Sequence, residues 1–246
     1  MMPPLSSTAM VLAAGLGTRM RSLTDRNLKP KPLQIVGDKT MLDHALDKLV
    51  GAGIQCAVVN THYMAEQIED HLRSRSDIKI IISREDTLLD TGGGILNALH
   101  HFEGKPFFAL NADLPWLDGP LPSLVRMKQA WDAAKMDALL LLMPTEKAHG
   151  FDITRGDFAM EADGRVWRNN LPPPRPYVCI GAQILRPELF ANPPGTVFSN
   201  NHVWNLAEAN NRLYGLEHDG TCYHVGTEKD WELANELLKS GKGWGV

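Results

Sequence analysis

The hydrophobic positions of the chain repeat with two periods. Ala9 to Ala14 is a short apolar run that closes on glycines, the pattern of a buried strand entering a loop at a sheet's carboxyl edge. Residues 41–50 place Leu42, Ala45, Leu46, Leu49 and Val50 on one helical face, with Thr40 as N-cap and Gly51 or Gly53 as stop. Ile54 to Asn60 reads as a strand, Met64, Ile68 and Leu72 as one side of a helix, and Ile78 to Ser83 as another strand. Ile95 to His100 reads as helix, Pro106 to Leu110 as strand, and residues 121–134 as a helix with Leu124, Met127 and Trp131 on one side. This alternation predicts an α/β protein built on a doubly wound, mostly parallel, Rossmann-like sheet.

Beyond Lys147 the pattern weakens into short strands and turns, and Pro172-Pro173-Pro174 marks an irregular connection. Residues 1–246 read as one domain: a core over about 9–144, a smaller irregular lobe covering the site over about 145–220, and a closing segment over 221–246. In that last segment Tyr223 to Val225 reads as a strand. Thr227 to Lys239 reads as a helix, with Thr227 and Asp230 in capping-box spacing and Trp231, Ala234 and Leu238 turned inward. No internal repeat is visible, and no hexapeptide array of the kind that builds a β-helix.

Composition narrows the function classes. Of 246 residues 43% are hydrophobic and 22% charged, the balance of a globular domain that buries its own core. A net charge of -4 leaves no basic footprint for nucleic acid, so the cations present must act locally. The N-terminal residues lack the basic and apolar segments of a secretory signal. The apolar run 138–143 is far below the roughly 20 residues that cross a bilayer and reads as a buried strand. Cys56, Cys179 and Cys222 are widely spaced and odd in number, which suggests neither a disulfide framework nor a CxxC metal site. A cytoplasmic protein is expected, with no membrane or protein partner implied.

The candidate chemistry begins where the first strand ends, at Ala13-Ala14-Gly15-Leu16-Gly17-Thr18-Arg19. Glycines let backbone N–H groups approach an anion, and Thr18 and Arg19 add a hydroxyl and a guanidinium fork suited to phosphate. A third Rossmann glycine would fall at Met20, and the Gly-Lys-Ser/Thr of a P-loop is absent, so neither of those motifs applies. Lys31 follows between Pro30 and Pro32, and that stiff frame favours it over Lys29 as the cation delivered to the loop's anion. Asp113 follows the strand PFFAL and an Asn-Ala step, which places a carboxylate at the same sheet edge.

The ordered series LAAGLGTRM, LT, PKPL, NTHYMAEQIEDHL, LDTGGGILNAL, LNADLPW, RGDF and HVGT resembles the sugar-1-phosphate nucleotidyltransferases along nearly the whole chain. Within them it is most similar to the short N-acetylmuramate-1-phosphate uridylyltransferases. About two extra residues between Thr24 and Pro30 are a minor departure.

That resemblance implies UTP and a sugar 1-phosphate as substrates and Mg²⁺ as cofactor. It gives the metal to Asp113, whose hard carboxylate suits Mg²⁺. It gives the nucleotide to Ala13, Ala14, Gly15, Gly17, Thr18 and Arg19, with Gly92 and Gly93 in a loop touching the base. Asn111, Gly156 and Gly181 fall to the sugar pocket, and Arg19, Lys31 and Asp113 to catalysis. One departure bears on the metal: the family's second metal Asp, just before Val-Gly-Thr, is His224 here. Imidazole is softer than carboxylate and brings no charge, which leaves His224 open as a ligand, a water-mediated contact or a phosphate contact. The alternatives are a mannose-1-phosphate guanylyltransferase and a catalytically silent nucleotide-sugar sensor.

Overall fold

The computed structural model describes residues 4–148, 150–152 and 154–239. Seven strands form the central sheet: β1 (Thr8–Leu12), β2 (Cys56–Thr61), β3 (Lys79–Arg84), β4 (Phe107–Asn111), β5 (Ala138–Pro144), β6 (Tyr177–Leu185) and β7 (Leu213–Glu217). Their spatial order is β7-β5-β6-β4-β1-β2-β3. β6 runs antiparallel to both its neighbours and every other pairing is parallel.

Alternation along the strands explains why both faces are covered. Ala9, Val11, Ala57, Val59, Leu139 and Leu141 point into one apolar cluster, while Met10, Val58, Leu140 and Leu142 point into the opposite one. Burial on two faces requires near-continuous apolar strands, as β5 displays with all seven residues buried.

Among the described residues seven α-helices accompany the strands: α1 (Arg21–Asn27), α2 (Met41–Gly51), α3 (Ala65–Leu72), α4 (Asp90–Ala98), α5 (Ser123–Ala130), α6 (Asn201–Ala209) and α7 (Glu228–Lys239). On α2 Leu42, Ala45, Leu46 and Leu49 are buried, and the Thr40 side chain caps it by accepting the Asp43 N–H at 3.1 Å. At the other end of the chain Thr227 and Asp230 exchange the expected capping-box bonds. Ala234 of α7 joins Met20, Leu23, Val36, Met41, Tyr223 and Val225 in a third cluster, which fastens the closing segment over the start of α1. Leu238, expected on the same inward face, lies outside the residues whose side chains are described.

Four expectations are corrected. The helix expected from Ile95 begins at Asp90, so the glycines that looked like a loop form its first turns. The strand expected at Tyr223–Val225 is Thr221–Cys222, paired with Trp116–Leu117. The helix expected over 121–134 ends at Ala130, where Trp131 turns extended. The stretch 145–220 is not irregular throughout, because β6 and β7 within it enter the central sheet. Only its connections, with the small hairpin Ala159–Met160 and Val166–Trp167, stand outside that sheet.

Candidate active site

Parallel register assembles the site. Leu12 at the end of β1 lies level with Asn60 of β2 on one side and Asn111 of β4 on the other. The chain reverses direction across the sheet between β1 and β4, and clefts of open α/β sheets form at such a switch point. A cleft of about 550 Å³ opens there, lined by residues 13–15 and 17–19, Lys31, Asn60, Glu85, Asn111 and Asp113.

Ala13 and Ala14 are buried where the loop leaves the sheet, whereas Gly15, Thr18 and Arg19 are exposed to the cleft. Gly17 turns the chain at φ 60, a left-handed conformation that favours glycine. The Lys31 side chain lies directly beneath it, so that a β-carbon at Gly17 would stand 3.1 Å from the Lys31 β-carbon. Pro30 is extended and residues 31–33 form a 3₁₀ turn, a restricted frame for Lys31, which is itself buried. Lys29 is exposed and outside the cleft.

Lys31 Nζ donates to Asp113 Oδ2 at 2.6 Å. Burial pushes the Asp113 carboxyl up, but the Lys31 ammonium, by charge and by hydrogen bond, together with the nearby His224, holds it below the usual carboxylate range. His224 Nδ1 lies 3.1 Å from the Gly150 carbonyl oxygen. A carbonyl only accepts, so Nδ1 carries the proton and Nε2 keeps its lone pair. Burial and the Lys31 charge push His224 below the ordinary histidine value, and Asp113 only partly offsets them. That favours the neutral imidazole, which brings a lone pair at Nε2 and no charge.

Asn60 and Glu85 are two cleft residues that motif reading did not single out. Asn60 is 3% and Glu85 4% exposed. Asn60 Oδ1 accepts the Ala13 N–H at 2.7 Å, its Nδ2 donates to Glu85 Oε1 at 2.7 Å, and Glu85 Oε2 accepts the Leu89 N–H at 2.9 Å. One buried carboxylate thus ties the glycine loop to the segment entering α4. The signal available in the sequence was position at the carboxyl end of an apolar strand, and for Asn60 also its place at the head of the NTHYMAEQIEDHL series.

Gly92 and Gly93 do not line the cleft; Asp90 and Thr91 do. Both glycine N–H groups donate to the Phe198 carbonyl, at 2.9 and 3.0 Å, so neither is free to meet a nucleotide. A β-carbon on Gly93 would overlap the Thr196 carbonyl oxygen, and one on Gly94 would crowd Asn60 and Glu85. Close packing is what these glycines permit.

A second cavity of about 960 Å³ adjoins the first and shares Arg19, Asp90, Thr91 and Asn111 with it. Gly156 and Gly181 line it at φ 58 and 79. Gly156 lets the turn after Asp152 close onto the Arg175 backbone, where Arg175 N donates to Arg155 O at 2.9 Å. Gly181 sits where the β6–β5 register shifts, against Asn111 and Leu114. Arg155, which opens the RGDF series, also lines this cavity, as do Arg168, Arg175, Gln183 and Trp204, which are unmarked in the sequence.

Among the described residues no three His, Cys, Asp or Glu side chains converge as a closed metal cage. Mg²⁺ does not need one, because it retains waters and takes one or two carboxylates together with substrate phosphates. Asp113 lines the cleft with one carboxylate and the neutral form of His224 would add a lone pair, a donor set that fits a metal arriving with a nucleotide.

Residues 9–155 match the model of the MobA-like NTP transferase domain. The chain is 41% identical over 223 residues to the N-acetylmuramate alpha-1-phosphate uridylyltransferase of Caulobacter vibrioides, covering 89% of this chain and 91% of that protein. It is 33% identical to the enzyme of the same name from Neisseria meningitidis, covering 89% and 93%. In fold it is similar to a UTP-bound UGPase from Acinetobacter baumannii, at TM-score 0.73 and 18% identity over 96% of this chain and 93% of that one. A UDP-glucose pyrophosphorylase complexed with UDP-glucose aligns at TM-score 0.75 and 18% identity over 95% and 98%. With its glycine loop and its Lys31–Asp113 pair set at the switch point of such a sheet, the chain belongs to the MobA-like NTP transferase family, among the sugar-1-phosphate nucleotidyltransferases.

Proposed function

We propose that this protein transfers UMP from UTP to N-acetylmuramate 1-phosphate and releases pyrophosphate. The observation that carries the reading is the Lys31–Asp113 pair in a cleft that opens into a second, polar cavity at Asn111. The first cavity takes the nucleotide and the second the sugar phosphate. Similarity to the two uridylyltransferases over nearly the whole chain favours uracil and muramate over guanine and mannose. The mannose-1-phosphate guanylyltransferase subunit of Drosophila pseudoobscura pseudoobscura is 36% identical over only 48% of the chain, and that of Danio rerio, which matches over 96% of it, is only 26% identical.

In this reading the exposed backbone N–H groups of the glycine loop, Thr18 and Arg19 hold the β- and γ-phosphates. A sugar phosphate oxygen attacks the α-phosphorus in line, the bond to the bridging oxygen breaks, and pyrophosphate leaves along the loop. The nucleophile is already anionic, so no general base is required. Lys31 moves from Asp113 to the phosphates and neutralises the charge of the transition state. Asn60 and Glu85 keep the loop in place, and Asn111 stands where the two cavities meet. When bound at Asp113, with His224 beside it, Mg²⁺ supplies further charge neutralisation on the phosphate oxygens.

A cytoplasmic location accords with three free thiols. Burial pushes the Cys179 thiol up to about 12, which disfavours the reactive thiolate. Among the described residues no helix is long and apolar enough to cross a membrane. The test of the function is product identification: incubation with UTP, N-acetylmuramate 1-phosphate and Mg²⁺ yields the UDP-sugar and pyrophosphate in equal amounts. Hydrolysis of UTP without the sugar, or UTP binding without product, would replace the transferase with a phosphatase or a sensor.

A further inference from the structure

Eight of the thirteen arginines form ion pairs with carboxylates, as Arg26 does with Glu228 and Arg212 with Asp137. Arg19, Arg21, Arg155, Arg168 and Arg175 form none among the described residues, and all but Arg21 line the two cavities. Guanidiniums left unpaired inside one concave surface repel each other unless an anion joins them. The cavity's own carboxylates are used locally. Asp90 accepts the Thr91 N–H, Asp152 the Thr154 N–H and hydroxyl, and Asp157 the Cys179 N–H at 3.0 Å.

Arg168 is the best placed of the four for an anion on the sugar itself. Arg19 lines both cavities and so belongs to the junction where phosphates pass, whereas Arg168 lines only the second. Its guanidinium carbon lies 5.9 Å from the ring centres of both Phe158 and Trp204, and one amino group donates to Asn201 Oδ1 at 2.6 Å. The side chain is half-buried and held in place, with donors left over. Arg175 is fixed by an Nε–H bond to the Leu171 carbonyl at 3.0 Å. Burial disfavours the Arg168 charge most, the carboxylates of Asp157 and Glu208 partly offset that, and the Arg175 charge adds to it. Gln183, 2% exposed, has its Oε1 occupied by Trp204 Nε1–H at 2.8 Å, which leaves an amide donor for the cavity.

The geometry points to a carboxylate subsite in the second cavity, in which Arg168, backed by Arg175, pairs with an acidic substituent of the acceptor sugar. This rests on the transferase reading above and names what in that site selects muramate. N-acetylmuramate 1-phosphate differs from N-acetylglucosamine 1-phosphate by a lactyl ether whose carboxylate provides such an anion. Hydrogen bonds to charged groups are among the strong ones, so removing the guanidinium costs about tenfold or more in discrimination.

The test compares kcat/KM for the two acceptors in wild type, Arg168→Gln and Arg168→Lys, with Arg21→Gln as a control for lost charge. The ratio of muramate to glucosamine acceptor falls at least tenfold in Arg168→Gln, less in Arg168→Lys, and is unchanged in Arg21→Gln. Methyl-esterifying the lactyl carboxylate lowers wild-type kcat/KM by a similar factor and has little effect in Arg168→Gln, the coupling expected of a direct pair. Calorimetric titration with N-acetylmuramate and N-acetylglucosamine, neither carrying phosphate, asks the same question without turnover. An unchanged acceptor ratio, equal losses on both acceptors, or titrations that do not distinguish the two sugars would overturn the subsite. Absence of turnover in wild type alongside Arg168-dependent binding of N-acetylmuramate would instead overturn the transferase reading and leave the subsite standing.

Discussion

The ammonium of Lys31 stands 2.6 Å from the carboxylate of Asp113, although 82 residues separate them in the chain. Each group occupies the partner that substrate or metal would require of the other. The pair keeps a buried cation and a carboxylate compensated while the cleft is empty, and phosphate charge offers Lys31 an alternative partner.

Lys31→Met is expected to lower kcat by two or more orders of magnitude, since one preorganised charge contact of this kind is worth about 3–4 kcal/mol. Lys29→Met changes turnover little, because Lys29 is exposed outside the cleft. Steady-state rates with circular dichroism as a folding control check this, and equal losses in the two variants would show that the cation has been misassigned.

Asp113→Asn nearly abolishes Mg²⁺-dependent turnover, whereas His224→Ala is milder. His224→Asp keeps activity and lowers the Mg²⁺ concentration giving half-maximal rate, since a carboxylate restores hard, anionic ligation. A Mg²⁺ titration of the three variants decides; a higher Mg²⁺ requirement in His224→Asp would remove His224 from the metal site.

The folded-state value of Asp113 is depressed, so its stabilising contribution is present above the unfolded value of about 3.9 and is lost as pH falls through the folded value. The stability difference between wild type and Asp113→Asn therefore shrinks in acid from about pH 4 downward. Urea unfolding at pH 7 and at successively lower pH measures it, and a difference that grows in acid would reverse the sign assigned to the pair.

Glu85→Gln puts an NH₂ group where two N–H donors, from Asn60 and Leu89, need acceptors. It is expected to destabilise the fold by about 1–3 kcal/mol and to weaken UTP binding through the loosened Ala13 anchor. Denaturant melts and calorimetry read the two effects. A loss of UTP affinity with stability untouched would mean that Glu85 meets the nucleotide directly.

Gly93→Ala pushes a methyl into the Thr196 carbonyl and costs about 1–3 kcal/mol of stability. Unchanged stability with weakened UTP binding would return Gly93 to the base contact that the motif suggested.

Local pattern carried the sequence reading where the physics is local. β1, α2 and the Thr227–Asp230 box follow from apolar spacing and side-chain caps that lie within a few residues of one another. The glycine loop, Lys31 and Asp113 were legible because a strand's carboxyl end and a proline frame announce them, and the structure brings them to one cleft. α4 was misplaced because three glycines suit a loop by propensity, and only packing against residues 196–198 makes a helix of them. β6 and β7 were missed as sheet members because strand pairing is a contact between distant segments and leaves no local mark. The same holds for Arg168, whose meaning lies in the carboxylate it lacks.

The most direct measurement is a matrix of the four nucleoside triphosphates against the 1-phosphates of N-acetylmuramate, N-acetylglucosamine, mannose and glucose, read as pyrophosphate release with Mg²⁺. Release that requires both substrates and is fastest with UTP and N-acetylmuramate 1-phosphate is the predicted result; fastest release with GTP and mannose 1-phosphate, or none in any combination, would contradict it.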